Sequence, residues 1–548
     1  MVSASKKVLT AVLVCTLGSG MVFTEPVMAH GQHVPNKSWN HPGHSAPVLH
    51  PGSVRGAGMR DEPLKEIDDV FKQAIAEKTT PGAVVLVARS GHIVKQQAYG
   101  DAARYLDDSL TEMENPVAMK TDTIFDVASI SKIFTTVAAM KLYEKGKIQL
   151  DDPVAKYIPE FAANGKEDVT IRQLMTHTSG FTAWIPLHSQ GETREDRLNL
   201  VFEQPLAARP GTTYTYSDLN MITLGAIVEK LSGQRLDQFV KEEITHPLGM
   251  KDTMYNPPAS LKNRIAATEY QPEIGRGLVW GEVHDENAWS LDGVAGHAGV
   301  FSTAKDLGIF AHMILNEGRY GGKRILQPKT VKLLAQNQIP EFAGDDHGLG
   351  WELNQGWYMD ALSNPSTAGH TGYTGTSIVI SPKNQTIAIL LTNRVHPSRK
   401  TISLNGVRRD FVRRVADAIP APIPKKSIAW FSGYGDKLNR TLTVDTPMNA
   451  KKFSFNTWYE LETDSDYGVI EVTKDGQTWE EIAPRLTGIK EKWSGTTISL
   501  PRGTKQIRFR YETDTAVNGR GWYVGDFKLD GKKVHPDSSS TEWLKRNE

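Results

Sequence analysis

The chain has 548 residues, 63 basic and 63 acidic side chains, and 23% charged residues overall. That length exceeds what one hydrophobic core organises, so two folded domains are expected. A zero formal charge without basic runs excludes the electrostatic footprint of a nucleic-acid or membrane-surface binder, and with it any large polyanionic partner.

The first residues read as an export signal. Lys6 and Lys7 precede a mostly apolar run over 8–23, and Val27-Met28-Ala29 offers a small-residue cleavage site. A signal peptide over 1–29 makes the protein secreted or cell-surface associated. Thr10, Gly18, Ser19 and Gly20 interrupt the run, and no later stretch is apolar enough to cross a bilayer. Cys15 is the one cysteine and would leave with this segment, which excludes disulfides and thiol chemistry from the mature chain. Residues 30–60 are rich in Gly, Pro and His. Despite His30, His33, His41, His44 and His50, they read as a disordered leader rather than a metal site.

Order is expected from Asp61. Leu64, Ile67, Phe71 and Ile75 share a helical face, and 83–88 and 93–99 read as strands joined through Ser90-Gly91. Helices are predicted over 129–144, 171–177, 219–231, 304–315 and 406–418, with strands over 376–380 and 386–392. The spacing therefore predicts one domain over 61–418. A proline-rich stretch over 419–427 reads as a stiff linker. Beyond it, Ile507, Phe509 and Tyr511 alternate with polar residues, and 453–455 and 469–472 are similar short strands. A β-sandwich is expected over 428–534, with a tail over 535–548.

Three motifs carry chemistry. Ser129-Ile130-Ser131-Lys132 sets a hydroxyl and an amine one helical turn apart, and burial would lower the lysine pKa towards a useful base. Tyr214-Thr-Tyr216-Ser217-Asp218 sits where a loop enters a helix. There a phenol can face a cleft and close cations would depress its pKa; taken singly, it is a packing tyrosine with Asp218 as a helix cap. His370-Thr371-Gly372-Tyr373-Thr374-Gly375 precedes an apolar strand. Its small residues admit a substrate backbone, and a basic residue at its head can hold a carboxylate. Each motif is common alone; their order and spacing are specific.

Together these motifs resemble the serine β-lactamase and penicillin-binding protein superfamily, in the branch of class C β-lactamases, D-alanyl-D-alanine carboxypeptidases and esterases. The resemblance spans about 61–418 and includes Leu174-Met-Thr-His177-Thr-Ser-Gly180, Gly296-His-Ala-Gly-Val-Phe-Ser302 and Val283-His-Asp-Glu-Asn-Ala288. It implies a mixed α/β (α+β) domain, an antiparallel sheet flanked by helices with a helical lobe beside it. Ser129, Lys132 and Tyr216 would be catalytic, and Asp218, His370, Thr371, Gly372 and Tyr373 would bind substrate. The N–H groups of Ser129 and Tyr373 would form an oxyanion hole.

Two positions depart from the class C pattern: Asp218 replaces an asparagine and His370 a lysine. They favour a peptidase or esterase over a β-lactamase and make the charge at His370 titratable near neutral pH. His284, Asp285, Glu286 and His297 form no His-Glu-x-x-His motif, and the resemblance implies a metal-free mechanism with these residues on a loop bordering the cleft. The expected function is that of a secreted D-alanyl-D-alanine carboxypeptidase working through an acyl-enzyme. A carboxylesterase or class C-like β-lactamase is the alternative, and a non-catalytic penicillin- or cell-wall-binding protein the rival of another class. D-alanyl peptides, esters or β-lactams are the implied substrates.

The region after Lys426 resembles jelly-roll modules of secreted bacterial peptidases, which bind calcium or carbohydrate. Calcium there is a candidate cofactor without an assigned site, and Asp464, Asp466 and Asp526 are candidate oxygen donors. Cell wall or carbohydrate is the corresponding candidate partner. Trp479, Trp493 and Trp522 are expected in a core rather than on a sugar platform.

Overall fold

The computed structural model describes residues 45–424, 427–447, 449–537 and 542–546. The expected signal peptide, Cys15 and the leader histidines up to His44 lie outside the described residues.

Helix α1 (Asp61–Ala76) buries Leu64, Ile67 and Phe71 as its periodicity predicts, with Ala74 rather than Ile75 completing the face. The hairpin of β1 (Gly82–Arg89) and β2 (His92–Tyr105) follows. Ser90 and Gly91 both have positive φ, the backbone a tight hairpin needs to match strand twist. Then come α2 (Ser131–Glu144), α3 (Asp218–Ser232) and α4 (Ala304–Leu315). Strands β3 (Ala368–Thr371), β4 (Ser377–Ser381) and β5 (Thr386–Thr392) and helix α5 (Asn405–Ala418) complete this part.

These five strands lie in one sheet in the order β2-β1-β5-β4-β3, each antiparallel to its neighbour in that order. Every residue of β1 is buried because the sheet is covered on both faces. Val84, Leu86 and Ala88 join the core shared with α2 and α4, while Val85 and Val87 pack with Phe71 of α1 and Phe411 of α5. The mixed α/β architecture expected from the sequence is the one observed.

One expectation holds and one changes. The third motif was expected in front of a strand, and β4 follows it directly; its first two residues, His370 and Thr371, also end β3, and 372–376 make the turn between the two strands. The disorder expected over 30–60 does not extend to 45–60. His50–Pro51 pairs in parallel with His92 and Ile93 on β2, and Ala57 and Met59 are buried. A sheet edge with unpaired backbone groups captures such a segment whatever its side chains.

Beyond α5 the chain forms β6 (Ala429–Phe431), β7 (Asn439–Asp445), β8 (Lys452–Glu460), β9 (Tyr467–Thr473), β10 (Ile489–Ser499), β11 (Gln506–Glu512), β12 (Gly521–Leu529) and β13 (Leu544–Arg546). They make two antiparallel sheets, β10-β8-β12-β6-β13 and β7-β11-β9, each with one further short strand. Phe453, Phe455 and Trp522 from one sheet share a core with Ile470, Phe509 and Tyr511 from the other. Trp522 is fully buried, whereas Trp479 and Trp493 are only half-buried, and the Arg508 guanidinium lies 4.0 Å from the Trp479 ring centroid.

Described residues of the expected linker and tail are packed. Ala421 and Ile423 are buried with Phe431 and Trp458, and Arg520 donates to the Ile419 carbonyl at 2.6 Å. Apolar side chains between the prolines turn this stretch into an interface rather than a solvated spacer. At the other end β13 pairs with β6, and Arg546 reaches Asp417 on α5 at 2.7 Å.

Candidate active site

The short strand Phe125–Asp126 pairs with Val300–Ser302 and leads into a 3-10 turn, Ala128–Ile130. Helix α2 therefore starts two residues after Ser129, not at it. Ala128 is held at φ 47°, a strained value for a residue with a Cβ. The buried Asp126 fixes that conformation. Its Oδ1 accepts the Ala128 N–H at 2.8 Å and its Oδ2 the His284 N–H at 2.7 Å.

Lys132 is fully buried and donates to Ser129 Oγ at 2.9 Å and to the His297 carbonyl at 3.3 Å. Its Nζ lies 2.8 Å from Asp218 Oδ1 and 4.7 Å from the Tyr216 ring centroid. This crossing depends on Gly296. A Cβ there would stand 1.8 Å from the Met221 carbonyl of α3, so only glycine lets the 296–297 backbone close over Lys132.

The electrostatics reverse the sequence-based expectation. Burial does oppose the charge on Lys132, but Asp218 and Tyr216 outweigh it and hold the ammonium above its ordinary range. Burial likewise pushes the Tyr216 phenol up to about 12; Lys132 pulls against this and Asp218 adds to it. Lys132 and Ser129 both favour the ionised phenol without reversing its upward shift. The resting site thus holds an ammonium, a carboxylate and a neutral phenol. Asp218, expected to meet substrate, is the counter-ion of Lys132.

Two histidines flank Tyr216, and a third backs one of them. His177 lies tilted 4.7 Å from it, His370 lies 6.1 Å away, and His347 is 5.3 Å from His177. The His177 Nδ1 accepts from the Ser217 N–H at 3.1 Å, which fixes the start of α3 beside Tyr216. His370 was expected to titrate near neutral pH; it does not. It is buried, and burial together with Lys132 pushes it down to about 3. Its Nδ1 donates to the Thr371 carbonyl at 2.8 Å, so the neutral ring carries its proton on Nδ1. It supplies no cation for a carboxylate.

Thr371 ends β3 opposite Ser377, half-buried. The turn that follows is strapped to the Ser129 segment. Thr374 Oγ1 donates to the Asp126 carbonyl at 2.7 Å and Thr376 Oγ1 to the Val127 carbonyl at 3.1 Å. A Cβ on Gly372 would lie 2.4 Å from the Val127 carbonyl oxygen. From behind, the buried Arg408 of α5 donates to the carbonyls of Gly372 and Thr376 at 3.2 and 3.1 Å. Tyr373 projects outward, 52% exposed, stacked on His284, with Arg394 and Arg399 at 5.5 and 5.8 Å from its ring. Arg399 is paired with Glu269 and Glu286, whereas Arg394 makes no ion pair among the described residues.

Next to His284, Asp285 caps the helix Glu286–Ser290 through the Ala288 N–H at 2.7 Å and binds His297 Nε2 at 2.8 Å. Burial opposes its charge, but His297 and the cap hold it well below the usual carboxylate range. Asp218, Asp285 and His297 offer ligand atoms within 4.8 Å of one another. They do not suit a metal: Asp218 is neutralised by Lys132, and Asp285 and His297 are bound to each other. The cavity of about 690 Å³ lined by Asp237, Met250 and Tyr255 includes none of Ser129, Lys132 or Tyr216.

The fold thus brings Ser129, Lys132, Tyr216, Asp218 and His370 into one cluster, with the Gly372–Tyr373 turn beside it. Sequence reasoning missed Asp126, Arg394 and Arg408 and gave His177 no role. The position of Asp126, three residues before Ser129, was the one available hint; Arg394 and Arg408 carried none.

The Beta-lactamase family pattern matches residues 67–412. A protein of Escherichia coli (strain K12) named "Putative D-alanyl-D-alanine carboxypeptidase" is 36% identical over 383 residues, covering 64% of this chain and 86% of its own. A protein of the same name from Salmonella agona (strain SL483) is 34% identical over 381 residues, covering 64% and 87%. Among solved structures, EstCE1, a hydrolase with promiscuous acyltransferase activity, is 25% identical with TM-score 0.51, covering 64% of this chain and 98% of its own. A penicillin-binding protein homolog from Caulobacter crescentus shares the fold at 18% identity and TM-score 0.51, covering 65% and 98%.

Proposed function

The chain belongs to the β-lactamase family, and on that premise we propose that it is an exported serine D-alanyl-D-alanine carboxypeptidase working through an acyl-enzyme on Ser129. The observation that carries this reading is the 2.9 Å contact between Ser129 Oγ and Lys132 Nζ, with the Tyr216 ring centroid 4.7 Å from that Nζ. Ser129 Oγ attacks the carbonyl carbon of the scissile amide, and the N–H groups of Ser129 and Tyr373 receive the oxyanion. The hydroxyl proton passes through Lys132 and Tyr216 to the departing D-alanine nitrogen as the C–N bond breaks. Water then attacks the ester by the same proton route, releasing the shortened peptide and Ser129.

In the resting site Lys132 is protonated and Tyr216 neutral, so the acylating form carries one proton fewer. A carboxypeptidase also needs a cation for the substrate's terminal carboxylate. Arg394, unpaired among the described residues and beside Tyr373, supplies it in place of the neutral His370. The 25% identity to EstCE1, a hydrolase with promiscuous acyltransferase activity, supports a second reading in which other acyl groups, neutral esters among them, are the substrates; a neutral ester has no use for Arg394.

The test compares wild type, Ser129→Ala and Arg394→Ala on a D-alanyl-D-alanine peptide, a short neutral ester and a fluorescent penicillin. Ser129→Ala should lose all three activities. Arg394→Ala should raise KM for the peptide about tenfold or more and spare the ester. Ester turnover without peptide turnover in wild type decides for the esterase. Inertness towards all three substrates decides for a binding protein.

A further inference from the structure

The resemblance of the C-terminal region to calcium- or carbohydrate-binding modules names no residues, and the structure tests the three candidate donors. Asp464 is exposed, with φ 59°. Asp526 is engaged elsewhere, accepting from Asn456 Nδ2 at 2.9 Å and Ser427 Oγ at 3.2 Å. Asp466 alone remains, and it has company. Glu462, Asp466 and Asp514 each place a carboxylate oxygen within 4.8 Å of the others.

Two features distinguish this trio from a solvated acidic patch. Asp466 is fully buried, and its Oδ2 has no hydrogen-bond partner; Glu462 Oε2 is likewise buried and unpartnered. None of the three forms an ion pair among the described residues, although the chain pairs most of its other buried carboxylates. Leaving two buried carboxylate oxygens without a proton donor or a counter-charge is costly. Burial and the two neighbouring carboxylates accordingly push Asp466 up to about 7.

We propose that Glu462, Asp466 and Asp514 bind a calcium ion that fixes the 513–519 loop against the catalytic region. An all-oxygen donor set without histidine or cysteine suits a hard divalent cation and not zinc. Calcium takes six to eight oxygens in a flexible shell. The exposed Asp514 leaves one side open, so water can complete that shell.

The loop gives the site its consequence. Two residues beyond Asp514, the Ala516 carbonyl accepts from Arg413 of α5. Asn518 N–H donates to Asp360 at 3.0 Å, and Val517 packs on Gly356. Asp514 itself is tethered to Asp466, whose Oδ1 accepts its N–H at 3.2 Å. A cation joining the three carboxylates would therefore brace the loop that docks the β-sheets onto α5.

The full-length protein, stripped of divalent ions by a chelator, is titrated with calcium chloride by calorimetry and thermal unfolding, with hydrogen exchange followed over 513–519. Expected are a saturable heat with Kd at or below about 1 mM, a raised Tm and slower exchange in the loop. Asp466→Asn removes one of the repelling charges, so it should fold without calcium while its calcium affinity drops at least tenfold; the exposed Asp514→Asn is the second variant. No saturable response in wild type up to about 10 mM overturns the proposal, since that is well beyond the weak end of such sites. An undiminished response in both variants, or an equal response to magnesium chloride, overturns it too.

Discussion

Lys132 Nζ and Asp218 Oδ1 lie 2.8 Å apart, with Lys132 wholly buried and Asp218 19% exposed at its side chain. The pair sets the protonation of the whole site. A neutral amide at position 218 would solvate the ammonium; the carboxylate instead holds the proton on Lys132 and discourages ionisation of Tyr216 as well. On the proposed mechanism, Ser129 is activated only when that cluster loses a proton.

Acylation should therefore speed up with rising pH. Both Lys132 and Tyr216 have raised pKa values, so the form lacking one proton grows as pH climbs from about 6 towards 10. Asp218→Asn removes the negative charge that raises both and should move the rise to lower pH by about one to two units. Stopped-flow labelling of Ser129 across pH measures this. A profile that stays in place or moves to higher pH contradicts it.

Gly372→Ala tests the strap between the turn and the nucleophile segment. The new Cβ would meet the Val127 carbonyl at 2.4 Å and Thr376 Oγ1 at 2.2 Å, pushing Tyr373 away from Ser129. A loss of about 1–3 kcal/mol in stability is expected from the overpacking. Acylation should fall at least about tenfold, by displacement of an oxyanion donor. Wild-type kcat with unchanged Tm would show that the turn does not position the site.

His396 gives a stability prediction. Its Nε2 accepts the N–H groups of Arg104 and Tyr105, both at 3.0 Å, and its Nδ1 donates to the Thr268 carbonyl at 2.9 Å, so the fold requires the neutral ring. Burial pushes it down to about 4. A depressed folded-state pKa stabilises above the unfolded value of about 6.5, and that contribution is lost as pH falls towards 4. Glu352 and Asp360, each pushed up to about 7 by burial, act in the opposite sense, so the informative quantity is a difference. His396→Gln should be less stable than wild type at pH 7, and the gap should narrow by up to roughly 3 kcal/mol by pH 4. A constant gap in chemical denaturation across that range would refute it.

What was legible in the sequence was whatever is local in the chain. The 3.6-residue face of α1, the turn residues Ser90-Gly91, the alternation of β11 and the Ser129–Lys132 spacing each depend on neighbours a few positions away, and each appears as expected. The order of the three motifs was enough to indicate the family.

The protonation state of the site was not legible, because it depends on what surrounds a group in three dimensions. Lys132 is cationic because a carboxylate from α3 reaches it, and His370 is neutral because the fold buries it beside that ammonium. Arg408 clamps the Gly372 turn from a helix more than thirty residues away. The grouping of Asp466 with Glu462 and Asp514, rather than with Asp464 and Asp526, likewise rests on which strands pair. Spacing along the chain placed the chemical groups; packing decided their charge and their partners, since burial and Coulomb energies follow distance in space rather than distance in sequence.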